Sequence, residues 1–272
     1  MIVLFSRDSL LSYKQNLNKP LAFVPTMGAL HDGHLSLVEK AQNDGFEVLV
    51  SLFINPRQFN NPEDLLKYPK TIPQDLELLK RIKTHAVFIP DYQAIYQNNQ
   101  TNEIFIDSEI QHKFEGHYRP GHFNGVISVL YEFFNLIRPQ AAYFGQKDLQ
   151  QCSIAHLVIK KYFSNIEFHR VETKRKSNGL AMSSRNARLS LRAKNIAAII
   201  FDQLQLISKQ PSTHNLHLAA QKINEAGIEI EYLDIIDIQT FDSWNGIPSK
   251  NQAIIFAGYL EGIRLIDNLI IS

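Results

Sequence analysis

The chain is poor in cysteine, in net charge and in long apolar runs. With Cys152 alone among 272 residues, no intramolecular disulfide can form, which excludes a bridge-stapled secreted scaffold and points to a reducing compartment. Its 28 basic and 27 acidic residues leave a formal charge of +1, so no whole-chain field draws it to nucleic acid or to an anionic membrane. The apolar run at the N-terminus stops at Ser6 and Arg7, too short for a signal-peptide core, and no stretch approaches the length of a membrane span. The expectation is a cytoplasmic protein with neither a membrane nor a nucleic-acid partner.

What is present is 44% hydrophobic residues, enough for a well-buried core and for two domains. Up to about residue 171, short apolar runs alternate with segments of helical period. Runs at 21–26, 47–54, 85–90, around Ala142 and at 166–171 read as strands buried on both faces, with helices expected at 34–43, 73–83, 122–137 and 148–163. That alternation predicts an α/β fold with a doubly wound parallel sheet, Rossmann-like in type, over residues 1–173. Beyond the loop 172–179 the rhythm changes to helices at 191–209 and 216–226 followed by strands at 228–236, 252–260 and 263–271. This predicts a smaller C-terminal α+β domain, 174–272, with a mostly antiparallel sheet.

The stretch PTMGALHDGHLSLV, 25–38, leaves a buried strand, turns at glycine and enters a helix whose first turn holds His34. A first helical turn offers unpaired backbone N–H groups and partial positive charge, which suit phosphate. His31 and His34 add donors there, and Gly28 and Gly33 permit a tight, close-lying backbone. A pair of surface histidines or a metal site reads equally from these residues alone, although a closed zinc site wants further ligands that the segment does not supply. FINPRQF, 53–59, follows the next strand; Asn55 and Gln58 carry amides that suit a hydroxylated carboxylic acid, or form a polar turn. HYRPGHFNGV opens an apolar helix and carries Arg119 and His122 in its loop. In FGQKDLQQ, Gly145 allows close approach, Lys147 is a mobile cation, Asp148 is placed to cap the helix or hold ribose hydroxyls, and Gln151 shares its face. In GLAMSSRN, Ser183, Ser184 and Arg185 combine hydroxyls with a guanidinium, as a phosphate clamp or a helix cap.

His31-Asp32-Gly33-His34 resembles the HxGH signature of the adenylyl-transferring nucleotidyltransferase superfamily, which by itself leaves the substrate open. PTMGALHDGH, FINPRQF, YRPGHFNGV, FGQKDLQQ and GLAMSSRN, in this order and with GIRLIDN near the C-terminus, resemble the pantothenate synthetase family over nearly the whole chain. The resemblance implies ATP, pantoate and β-alanine as substrates, Mg²⁺ on the phosphates, a homodimer, and a C-terminal domain acting as a lid.

It further implies catalytic roles for His34, His31, Lys147, Ser183, Ser184 and Arg185. ATP would meet these together with Met27, Gly28, Ala29, Leu30, Asp32, Gly33, Gly145, Gln146, Asp148, Lys174 and Met182. Pantoate would meet Gln58, Gln151, Met27, Asn55 and Arg119, and β-alanine Gln58, with Asp75 the acidic residue for the metal. One departure stands out: this chain has Lys174, Arg175 and Lys176 where the family usually has valine, arginine and an acidic residue.

Overall fold

A computed structural model describes residues 1–96, 104, 106–247 and 249–271. The chain forms two compact units, one of Met1–Gly145 with Ile154–Val171, the other of Gln146–Ser153 with Glu172–Ser272, so residues 146–153 group with the C-terminal part.

The first unit holds one sheet of strands β1 (Ile2–Leu4), β2 (Leu21–Thr26), β3 (Glu47–Leu52), β4 (Ala86–Phe88), β5 (Ala141–Gly145) and β6 (Glu167–Val171). Their order is β1-β4-β3-β2-β5-β6, and every pairing is parallel. β2 and β3 are almost wholly buried, as expected of strands covered on both faces. Val24, Val50, Val87 and Tyr143 pack with Leu37, Val38 and Ala41 of the Asp32–Asn43 helix. From β2 the chain builds β3 on one side; after β4 it returns to lay β5 on the other, which puts the topological switch point between β2 and β5. Ligands of open parallel sheets bind beyond the carboxyl ends of strands at such a point, here at Thr26 and Gly145.

Three expectations shift. The run at 166–171 forms an edge strand with exposed and half-buried positions, not one buried on both faces, and His169 stacks on Tyr143 with ring centroids 4.4 Å apart. β3 and β4 are shorter than the apolar runs that announce them. β1 and the Arg7–Gln15 helix, capped by Ser6, were not anticipated: a three-residue strand has no period to read.

In the second unit β7 (Glu229–Asp237), β8 (Gln252–Leu260) and β9 (Ile263–Ile271) form an antiparallel sheet in sequence order. Ile200, Leu204, Ile207 and Ile223 from its helices pack with Ile235, Ile254, Phe256 and Leu265 from the strands. The helix expected over 191–209 is two, Leu191–Ile196 and Ala198–Lys209, meeting at Ala197. Among the described residues, no helix is long and apolar enough to cross a membrane.

Candidate active site

β2 ends at Thr26, whose hydroxyl donates to the Ser51 carbonyl (2.6 Å) and accepts from the Gly28 N–H (3.2 Å). The chain then reverses through Gly28 (φ 81°) and Ala29 (φ 52°) and enters the Asp32–Asn43 helix with His31 as N-cap. The helix thus starts two residues before His34, because an imidazole does the capping that Ser, Thr, Asp or Asn usually does. Gly33 N–H donates to His31 Nδ1 (3.2 Å) and His31 N–H to His34 Nδ1 (3.3 Å). A backbone N–H can only donate, so each Nδ1 is an acceptor and each neutral imidazole carries its proton on Nε2. The two rings lie face to face, centroids 4.0 Å apart and inclined by 31°. Two Nε2–H donors are thereby set at the positive end of a helix, with Asp32 exposed in its first turn.

Asp75, in the first turn of the Ile72–Arg81 helix, is 1% exposed. Its Oδ2 accepts from Ala29 N–H (2.9 Å), its Oδ1 from Leu30 N–H (2.8 Å), and the Thr71 hydroxyl lies 3.2 Å from both. Burial pushes the carboxyl above its ordinary range, against the pull of those N–H donors. Among the described residues no group of three or more His, Cys, Asp or Glu is arranged to hold a metal ion. Both oxygens of the residue expected as the metal ligand accept from backbone N–H groups, and among the described residues no two further His, Cys, Asp or Glu side chains join it as a ligand set. Beside it, a cavity of about 260 Å³ opens at the ends of β2 and β3, lined in part by Met27, Gly28, Phe53, Thr71, Asp75 and Tyr92.

A second polar cluster forms where β3 gives way to the turn Pro56–Gln58. Asn55, 1% exposed, caps that turn by accepting from Arg57 N–H (3.2 Å), and its amide donates to the Gly125 carbonyl (3.0 Å) and to Gln58 Oε1 (3.2 Å). Tyr96 donates its hydroxyl to Asn55 Oδ1 (3.1 Å); burial pushes that phenol up to about 12, which keeps it a donor. Gln58 Nε2 lies 2.9 Å from Met27 Sδ, and His122 Nδ1 lies 2.8 Å from the Gln58 carbonyl. Met27, Asn55 and Gln58 are therefore brought together, with Arg57 stacked 3.8 Å from the Tyr96 ring centroid. Arg119 turns to Glu115 (3.3 Å), one helical turn before it.

In the second unit, Gln146, Lys147 and Asp148 form a short turn ahead of the Leu149–Tyr162 helix, with Lys147 Nζ 3.5 Å from the exposed Asp148. Asn268, 2% exposed, donates to the carbonyls of Gln146 (2.8 Å) and Lys147 (2.9 Å). Gln151 is half-buried on the helix that follows. Lys174 and Met182 face each other across a short hairpin, Met182 N–H donating to the Lys174 carbonyl (3.0 Å). Arg175 clamps that hairpin, donating to Asp267 (2.6 and 2.9 Å), to the Gly179 carbonyl (3.1 Å) and to the Asn268 carbonyl (3.1 Å), with its guanidinium 3.6 Å from the Phe201 ring centroid. Ser183 caps the short turn Ser184–Arg188 by accepting from Arg185 N–H (3.3 Å), while the helix that follows, Leu191–Ile196, is capped by Ser190.

The sequence reading missed Tyr96, Asp267, Asn268 and the packing of Gly125. For Asp267 and Asn268 a signal existed: two polar residues in succession inside the apolar strand IRLIDNLII. For Tyr96, distant in sequence from Asn55, none did.

Residues 5–270 match the model of the family described as pantoate-beta-alanine ligase. The pantothenate synthetase of Cytophaga hutchinsonii is 38% identical over 269 residues, covering 96% of this chain and 95% of the relative. The crystal structure of pantothenate synthetase from Thermus thermophilus matches with a TM-score of 0.93 at 31% identity, over 100% of both chains. That of the Francisella tularensis pantoate-beta-alanine ligase, complexed with beta-gamma ATP and beta-alanine, matches with a TM-score of 0.85 at 34% identity, over 99% of this chain and 97% of the other. With the family model matching residues 5–270, and the histidine pair and the amide cluster present, the chain belongs to the pantoate–beta-alanine ligase family.

Proposed function

We propose that the chain joins pantoate to β-alanine in two half-reactions at the expense of ATP. In the first, a pantoate carboxylate oxygen attacks the α-phosphorus of ATP and pyrophosphate leaves, forming pantoyl adenylate. In the second, the β-alanine amine attacks the acyl carbon, the amide forms with loss of the amine proton, and AMP leaves. No covalent enzyme intermediate is needed, so the protein contributes positioning and stabilisation of developing charge.

The observation that carries this reading is the histidine pair: two imidazoles, each with Nδ1 engaged by backbone, present Nε2–H donors at a helix mouth beside the switch point of the sheet. We assign His31 and His34 to the phosphate oxygens on which charge builds, with the loop Met27 to Gly33 as their backbone support. The amide pair Asn55 and Gln58, with Met27, is assigned to pantoate's hydroxyls and carboxylate, and Gln58 also to β-alanine. Lys147, Ser183, Ser184 and Arg185 of the second unit are assigned to phosphate. Gly145, Gln146, Asp148, Lys174 and Met182 are assigned to the rest of ATP, and Gln151 and Arg119 to pantoate. Mg²⁺ enters on the ATP phosphates, keeping its waters and asking for few protein ligands. Bound there it would supply charge neutralisation, while the protein residues hold the nucleotide. A cytoplasmic homodimer is the assembly family membership supports, and sedimentation velocity checks it.

Isotope exchange between pyrophosphate and ATP, with Mg²⁺ and pantoate present and β-alanine absent, tests the reading directly. Exchange that requires pantoate is the expected result. Exchange supported only by a different acid keeps the adenylyl chemistry and overturns the substrate.

A further inference from the structure

We infer that Asp75 is a positioning residue for His31 and His34, acting through the backbone, in place of the metal ligand expected of it. The inference rests on the adenylyl-transfer reading of the histidine pair. Gly28 and Ala29 both adopt left-handed backbone conformations, and Ala29 carries a Cβ that disfavours one. Consecutive residues in such a turn aim successive N–H groups at one point. Here the N–H groups of Ala29 and Leu30 converge on the two oxygens of a single buried carboxylate, at 2.9 and 2.8 Å. The next residue is the N-cap His31, whose N–H orients His34 through Nδ1. Asp75 thus fixes the reversal, the reversal fixes the cap, and the cap fixes both imidazole tautomers.

The geometry also specifies a carboxylate. Two acceptors side by side answer two donors, whereas an amide of the same shape would turn an NH₂ group toward one of those N–H groups. Thr71 completes the holding, its hydroxyl within 3.2 Å of both oxygens. Gly28 leaves no room to spare, since a Cβ built there would lie 3.1 Å from Asp75 Oδ2.

The test is Asp75→Asn, assayed by pantoate-dependent pyrophosphate–ATP exchange across a Mg²⁺ titration, with the imidazole nitrogens followed by ¹H–¹⁵N spectroscopy. Misplacing catalytic donors by about an ångström costs up to ~10²-fold, so the maximal exchange rate is expected to fall on the order of 10–10²-fold. The pantoate KM should change far less, the Mg²⁺ concentration for half-maximal rate should stay put, and the His31 and His34 ring signals should leave their Nε2–H pattern. A raised Mg²⁺ requirement rescued by excess Mg²⁺ would overturn the inference in favour of a metal ligand, and unchanged rate and ring signals would overturn it outright. Should Asp75→Asn fail to fold, Thr71→Val is expected to lower the same rate by a smaller factor at unaltered Mg²⁺ dependence, and no loss there counts against the inference. Wild-type protein without pantoate-dependent exchange would sink the adenylyl reading alone, because the ring signals still report whether Asp75 sets the tautomers.

Discussion

Each of the two units anchors a functional loop with a buried acidic side chain, but the charge is answered differently. In the first, Asp75 meets backbone N–H groups from the Gly28 to Leu30 reversal and a threonine hydroxyl. In the second, Asp267 of β9 meets the guanidinium of Arg175, which braces the 174–182 hairpin through two further carbonyls. The first arrangement shapes the backbone that leads into the histidine pair. The second ties a lysine-bearing hairpin to a strand by a full ion pair, 15% and 5% exposed at its side chains. A carboxylate bound to amides and a hydroxyl therefore acts on geometry, whereas one bound to arginine also carries stability, and removing the partner exposes the difference.

The largest expected effect is on stability. Arg175→Ala strips the partner from Asp267, and breaking a buried pair from one side costs about 3–5 kcal/mol. Urea unfolding followed by circular dichroism should show that loss, with Asp267→Asn costing less because the Arg175 guanidinium it strands keeps the Gly179 and Asn268 carbonyls and the Phe201 ring as partners. Equal losses in the two variants would break the distinction drawn between the units. The next effect is on rate: His34→Ala removes one charge-stabilising donor and should lower pantoate-dependent exchange by roughly 10²–10³-fold, about 2.7–4 kcal/mol of barrier. Its unfolding midpoint should move less than that of Arg175→Ala, since His34 is half-buried and its loss removes the cap hydrogen bond from His31 N–H and not a buried ion pair. Exchange at the wild-type rate would exclude the histidine from phosphate stabilisation.

Much of the fold was legible because of how parallel sheets are covered. β2 and β3 are apolar on both faces, so unbroken runs such as LAFVPT and EVLVSL announce them, and the helices between keep a 3.6-residue period. β1 has three residues and carries no such signal, whereas the buried β4 is announced by its run; the pairing of the two, Ile2 with Ala86, is a contact across the sequence that local pattern does not encode. At the candidate site, residues that the structure brings together were readable from motifs, the histidine pair above all. The residues that hold them were harder, for a physical reason. Asp75 acts on backbone N–H groups, which every residue but proline has, so nothing in Gly28 to Leu30 marks where a carboxylate will bind. Gly125 was read only within the motif YRPGHFNGV that opens an apolar helix, although its missing side chain is what admits the neighbouring turn.

That glycine gives the smallest of the expected effects and the finest test of how the first unit builds its amide cluster. A Cβ at position 125 would lie 2.2 Å from the Arg57 carbonyl oxygen and 2.5 Å from Gln58 N, both backbone atoms that cannot swing aside. The Gly125 carbonyl also receives the Asn55 amide, so a methyl group there pushes on the same turn that its own backbone holds. Overpacking of this kind costs about 1–3 kcal/mol, and the part felt by the turn should appear as a weaker grip on whatever Asn55 and Gln58 hold. Gly125→Ala is expected to raise the pantoate KM by about tenfold, equivalent to ~1.4 kcal/mol, while the ATP KM changes little. Gln58→Ala should move the same constant in the same direction by removing the side chain itself. If Gly125→Ala instead raised both constants equally, the cluster would be bracing the unit as a whole, and the assignment of Asn55 and Gln58 to pantoate would lose its support.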